Sequence, residues 1–299
     1  MANWLHVRYC FLGILVWYGW ACSRPSSAFL VSPEHVQVLD TCKMLNQSSL
    51  ADTYLWDFGD GKQSSDPHPQ HIYKRSGRYT IQLTASKGNK LKISSKNIMV
   101  TPPNQCLVLI ETPFGQMTAV LFDDTPLHQD NFTSLVDSGF FDGLLFHRVI
   151  DGFMIQGGDP GSRNAPAGAP LGAGGPGYQV DAEFNAAHVH TKGAIAAART
   201  GDNVNPQKKS SGSQFYIVHG RTQTENELNA LQARKNILYT PEQKNAYLEQ
   251  GGTPALDMEY TVFGQVISGL EVIDKIAQIS TDGRNRPVEN VSMKITLIK

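Results

Sequence analysis

Arg148 lies among apolar neighbours, and an arginine so placed is usually held by a partner or by a function. If residues 143–150 form a strand, alternation puts Phe146, Arg148 and Ile150 on one face and His147 and Val149 on the other. An Asp151-Gly152 turn then returns the chain through residues 153–156, bringing Phe153, Met154 and Gln156 alongside. The grouping offers a planar cation and an amide beside an apolar surface. His147 reads as a structural partner on the wall of the fold rather than as a general base. Other groupings carry less. His188-x-His190 with Asp181 and Glu183 has the donors for a metal, and Asp57, Asp60 and Asp66 have those for calcium without the spacing of an EF-hand loop. Gly172-x-Gly174-x-x-Gly177 spells a dinucleotide fingerprint, but it follows no strand and carries Pro176 where a helix should begin. Asp57-Phe58-Gly59 spells the magnesium motif of kinases with no glycine-rich loop, lysine strand or catalytic loop to accompany it.

Several elements must position these side chains. Residues 107–110 and 116–122 read as the arms of a hairpin. Thr125-Pro126 supplies an N-cap and a proline at N1 for a helix that Gly139 closes. Residues 269–279 read as a second helix and 291–298 as a last strand. Between them, residues 160–177 form a Gly/Pro/Ala loop. Residues 222–252 read as one or two exposed helices, with Pro241 at a helix start, and could either restrict or extend a neighbouring groove. Earlier in the chain, residues 53–58, 78–84 and 90–100 alternate as strands, the first stopping at Gly59-Asp60-Gly61.

Two resemblances organise these elements. Trp56-Asp57-Phe58-Gly59-Asp60-Gly61, followed by Pro67, His71, Tyr73, Gly77-x-Tyr79 and Leu83, resembles the PKD domain, an immunoglobulin-like β-sandwich, over residues 34–101. Trp56 would plug that sandwich, and Asp57 and Asp60 would order its turn through side-chain to backbone bonds. Residues 102–106 form a stiff linker opening with Pro102-Pro103. From residue 107 to 299 the chain resembles the cyclophilins. The blocks that carry the likeness are Phe146-His147-Arg148-Val149-Ile150-Asp151-Gly152-Phe153-Met154-Ile155-Gln156-Gly157-Gly158-Asp159, residues 190–198, Ser211-Gly212-Ser213-Gln214-Phe215-Tyr216-Ile217, and Tyr260-Thr261-Val262-Phe263-Gly264. The resemblance implies an all-β-dominated chain: the sandwich, then an eight-stranded antiparallel β-barrel closed by two helices.

The resemblance also implies peptidyl-prolyl cis-trans isomerisation without cofactor or metal. Arg148 would approach the prolyl nitrogen as the amide twists, and Gln156 would bind the substrate carbonyl and hold Arg148. Phe153, Met154 and Leu256 would receive the proline ring, with Phe146 and Tyr216 in the same lining and Ala198 and Gln214 along the peptide groove. Four positions depart from common family members. Tyr216 stands for a frequent phenylalanine, Arg199 for an asparagine and Tyr260 for a histidine. Ala255 lies where many eukaryotic members carry a tryptophan, which argues against tight cyclosporin binding. The rival function classes are a proline-recognising chaperone or binding module with little turnover, and a cell-surface adhesion protein that keeps the barrel as a relic. The partners expected are proline-containing polypeptides.

With 26 basic and 27 acidic residues and a net charge of −1, the chain of 299 residues lacks the basic field of a nucleic-acid wrapper. The balance hides a division: residues 23–106 hold ten basic and six acidic residues, residues 107–299 fifteen and 21. Arg8, an apolar run too short to span a bilayer and then small residues match a secretory signal over residues 1–22. Two processing readings stand, lipidation of Cys22 (the preferred one) and cleavage after Ala28. Either implies export to the periplasm or outer membrane, the first with a lipid anchor. Cys42 and Cys106 remain, as a permitted disulfide or as separate thiols.

Overall fold

A computed structural model describes residues 24–299, so the stretch read above as a secretory signal, Cys22 included, lies outside the described residues. The chain divides into two compact units, one mainly before Thr101 and one mainly after it. The first unit is two facing sheets. Three strands, Phe29–Ser32, Thr41–Asn46 and Gln70–Ile72, make one. The other is five-stranded, built around Lys90–Thr101, Gly77–Lys87 and Thr53–Asp57. Alternate residues of these strands meet in the middle: Met44, Trp56, Ile81, Leu83 and Ala85 are fully buried.

Trp56 stands at the centre of that core, its Nε1 donating to the Asp66 carbonyl at 2.9 Å and its ring met edge-on by Phe29. The turn after it is ordered as its residue types require. Asp57 Oδ1 accepts from the Gly59 amide at 2.8 Å and Asp60 Oδ1 from the Lys62 amide at 3.1 Å. Gly59 has φ +79°, and a Cβ there would meet the Thr80 carbonyl oxygen at 2.8 Å, so only glycine fits. Cys42 is buried, Cys106 is half-buried, and each is a free thiol.

The second unit is an eight-stranded antiparallel sheet. Numbered within this unit, its strands are β1 (Cys106–Thr112), β2 (Gly115–Leu121), β3 (Arg148–Ile150), β4 (Met154–Gly157), β5 (Ala194–Ala197), β6 (Phe215–Val218), β7 (Val262–Ser268) and β8 (Lys294–Ile298). Their order is β3-β4-β6-β5-β7-β2-β1-β8. The open edges close through backbone bonds between the approach to β3 and the approach to β8: Gly143 N to Met293 O, Met293 N to Leu144 O and Phe146 N to Val291 O. The result is a barrel. Inward residues such as Val108, Ile110, Met117, Ile155, Ile195, Phe215 and Ile217 form one continuous core. Each large side chain so buried contributes about 1.5–3 kcal/mol.

Two helices cap this core. The first, α1 (Pro126–Asp137), buries Phe132 and Val136 against it. Thr125 occupies the N-cap, but its hydroxyl bonds the Phe122 carbonyl instead of the helix. Glu183 caps in its place, accepting from the Leu127 and His128 amides at 3.0 Å each and from His128 Nδ1 at 2.6 Å. Residues 222–252 form two further helices, α2 (Glu225–Lys235) and α3 (Pro241–Glu249), and α4 (Leu270–Ala277) is the second cap.

The chain corrects one expectation here. Residues 143–147 are not strand, because β3 begins only at Arg148. Phe146 and Val149 both enter the interior, three residues apart, which a regular extended chain would forbid. Phe146 is therefore core, met edge-on by Phe215, and does not share a face with Arg148.

Candidate active site

The outward side chains of the same strands make the site. Register places Arg148 opposite Gln156, Gln156 opposite Tyr216, and Tyr216 opposite Ala196, a single row across β3, β4, β6 and β5. The next row is Ile150, Met154 and Val218. Met154, Ala196, Ala198, Tyr216 and Val218 form an apolar cluster separate from the barrel interior, with Phe153, Leu256 and Tyr260 packed against it. Period two thus sends half of each strand to stability and the other half to a cleft floor.

The polar edge of this floor is a chain of amides. Arg148 Nη1 donates to Gln156 Oε1 at 3.2 Å, and Gln156 Nε2 donates to Gln214 Oε1 at 3.0 Å. Gln214 Nε2 in turn donates to the Gly172 and Gly174 carbonyls at 2.9 and 2.7 Å. From the other side, buried Asp159 accepts from the Gly161, Gly172 and Gly174 amides. The glycine-rich loop is therefore a strap anchored by two side chains, and no helix follows it to hold a pyrophosphate. Gly158, at φ +89°, would press a Cβ to 2.1 Å from the Ser213 carbonyl oxygen, so only glycine lets β4 run into this strap.

Beneath the floor lies a buried polar cluster that the sequence did not announce. The Tyr216 hydroxyl is 2.9 Å from His190 Nε2, and His190 Nδ1 is 2.8 Å from Asp257 Oδ1. Asp257 Oδ2 accepts from the hydroxyls of Tyr239 and Tyr247 at 2.7 Å each. A carboxylate accepts, so Nδ1 carries the imidazole proton and Nε2 receives the Tyr216 hydroxyl. Burial pushes the phenols of Tyr216, Tyr239 and Tyr247 well above their ordinary range, and the Asp257 charge adds to it. These hydroxyls stay protonated and can donate to His190 and Asp257.

The remaining candidates separate clearly. Arg148, Gln156, Phe153, Met154, Ala198, Gln214, Tyr216 and Leu256 come together around one floor, and Phe146 does not. Arg199 and Tyr260, two of the departures, touch each other: the guanidinium lies 4.5 Å above the ring and its Nε donates to the Glu259 carbonyl. The metal reading disperses. His188 bonds Asp124, His190 bonds Asp257, Glu183 bonds His128 and Asp181 pairs with Lys209. His147 is buried, its ring nitrogens make no hydrogen bond of ordinary geometry, and burial pulls its pKa down.

Comparison with known proteins gives these shapes a family. Residues 107–297 match the family model of the cyclophilin type peptidyl-prolyl cis-trans isomerases. The chain belongs to the cyclophilins. Residues 31–102 match the PKD domain. A Staphylococcus epidermidis protein named "Putative peptidyl-prolyl cis-trans isomerase" is 36% identical over 192 residues, 63% of this chain and 89% of the relative. A Staphylococcus aureus protein of the same name is 36% identical over 188 residues, 62% of this chain and 87% of its own. Among solved structures, a Cryptosporidium parvum cyclophilin type isomerase is similar at 24% identity and TM-score 0.47, covering 65% of this chain and 98% of that one. This cyclophilin is thus a peptidyl-prolyl cis-trans isomerase with an N-terminal PKD domain.

Proposed function

We propose that Arg148 and Gln156 carry the isomerisation of X-Pro bonds on the outward face of the barrel. The observation that carries this reading is the shared row: the guanidinium is held by the amide of Gln156 at the border of the Met154, Phe153, Tyr216 and Leu256 surface. A peptide bond resists rotation by ~18–20 kcal/mol because of amide resonance. A rate gain of roughly 10⁵ removes about 7 kcal/mol from that barrier. The apolar floor takes the proline ring and fixes it, while the acyl carbonyl accepts from an amide of the Arg148–Gln156–Gln214 chain. As the bond twists, the prolyl nitrogen regains its lone pair, and a donor poised there binds the twisted state better than either planar isomer. No nucleophile takes part. Arg148→Ala should lower kcat/KM on a proline-containing test peptide by at least about a hundredfold, the cost of a lost charged donor to a transition state. Full activity in that variant, with an unaltered melting point, overturns the assignment. Turnover itself distinguishes an enzyme from a proline-binding chaperone.

The clients in this reading are exported chains, met at the cell envelope by an enzyme lipidated on Cys22. The feature that favours Cys22 over cleavage after Ala28 is the way residues 26–28 are knit into the sandwich. Ser26 N donates to Ser49 O, the Ser27 hydroxyl to Leu83 O, and Gln47 N to Ala28 O. Cleavage after Ala28 would discard those bonds. Mass spectrometry of the mature N-terminus tests this: a diacylated or triacylated peptide beginning at Cys22 is expected, and a free Phe29 terminus overturns it.

A further inference from the structure

The structure assigns the 222–252 insertion a role in substrate choice: we propose that α2 builds a binding groove for the residues C-terminal to the proline, preferring an apolar then an acidic side chain. This deepens the isomerase reading above and rests on it. A cavity of about 540 Å³ opens between α2 and the proline floor, and Phe153 and Leu256 belong to both. Its far wall is Ala230, Leu231 and Arg234 of α2. On the opposite side of the row, a second cavity of about 760 Å³ runs from Gln156 past Ala198 and Gln214 to the glycine strap. A chain whose acyl carbonyl is bound at Gln156 enters along that second cavity. It leaves past Phe153 and Leu256, into the first.

The α2 wall is built to hold its place. A capping box starts the helix, with Thr224 Oγ1 and the Glu227 carboxylate each bonding the other's backbone amide. Leu228 and Leu231 bury against Tyr239 and Tyr247. In the last turn, Lys235 Nζ donates to the Ala255 and Asp257 carbonyls at 2.8 and 2.7 Å, fixing the helix to the Pro254–Leu256 turn that carries the floor residue. Charge then sets preference. Glu227 is engaged by Arg221 at 2.8 Å, whereas Arg234 forms no ion pair among the described residues and faces the groove as a cation. Ala255, which also lines the groove, is exposed.

The test uses the full mature chain and four peptides: Ala-Ala-Pro-Ala amide, the same extended C-terminally by Leu-Glu-Ala or by Leu-Lys-Ala, and the same extended N-terminally by Ala-Glu-Leu. Isomerisation is followed by NMR exchange. The Leu-Glu-Ala extension is expected to raise kcat/KM about tenfold over the short peptide, mainly through KM, and to exceed Leu-Lys-Ala about threefold, the scale of an exposed ion pair. Arg234→Glu should invert the preference between Glu and Lys, and Ala230→Trp should remove the gain from either extension. The proposal is overturned if C-terminal extension gains nothing, if the N-terminal extension gains as much, or if the gain survives both variants. Loss of turnover on every peptide by the wild type would instead sink the catalytic reading. Fluorescence anisotropy of the labelled peptides then decides the groove by itself, the same order of affinities being expected and equal affinities overturning it.

Discussion

At the scale of single residues, the most consequential group outside the cleft is Asp257. One buried carboxylate accepts from the His190 amide and imidazole and from two tyrosine hydroxyls. Removing it leaves several buried donors without partners, so Asp257→Ala should cost about 3–5 kcal/mol, read as a shift of the urea midpoint. Tyr216→Phe is a milder form of the same experiment. The ring stays in the floor but His190 Nε2 loses its donor, and about 1–3 kcal/mol of stability should go with it. A melting curve indistinguishable from wild type would mean that the hydroxyl contributes nothing. This cluster is not legible in the sequence. His190 and Asp257 stand 67 positions apart and Tyr216 between them, with no spacing to betray a meeting. Tyr216 and Tyr260 are visible there only as departures from a pattern. Arg148 and Gln156, by contrast, can be read directly, because a cation and an amide on the two arms of an apolar hairpin are costly to bury unless they bind each other or a ligand.

At the scale of elements, strand alternation is the informative signal and its limits are instructive. It puts Arg148, Met154 and Gln156 on one face correctly. It fails at Phe146, where the chain leaves regular extension to pair with Val291 and Met293 and so close the barrel. Closure joins segments about 150 residues apart, and local pattern carries no trace of it. The helix starts carry more signal than Pro241 alone: Thr224-x-x-Glu227 and Thr240-x-x-Gln243 are both capping boxes. Thr224→Ala should destabilise by about 1 kcal/mol. Because α2 walls the exit groove, hydrogen exchange in its first turn should quicken more than in α4. Equal protection in both helices would show that tertiary packing alone holds α2.

At the scale of the whole molecule, acid is the sensitive condition. His128 and His147 are buried, and burial holds both imidazoles below their ordinary pKa, in His128 against the pull of Glu183. The unfolded chain therefore binds protons from about pH 6.5 downward, before the folded chain does. Their share of stability is complete above that pH and is lost as pH falls through the lower folded values. The thermal midpoint should drop between pH 7 and 5.5, and His147→Leu should make the drop shallower; an unchanged slope would put the sensitivity elsewhere. The alternation of the barrel strands has a wider consequence. Interior and cleft are written in the same four short strands, in alternate letters. A lineage can rewrite the outward letters, and with them the choice of peptide, while the inward ones keep the molecule folded. The change such a strand cannot absorb is the gain or loss of one residue, which would exchange the two texts.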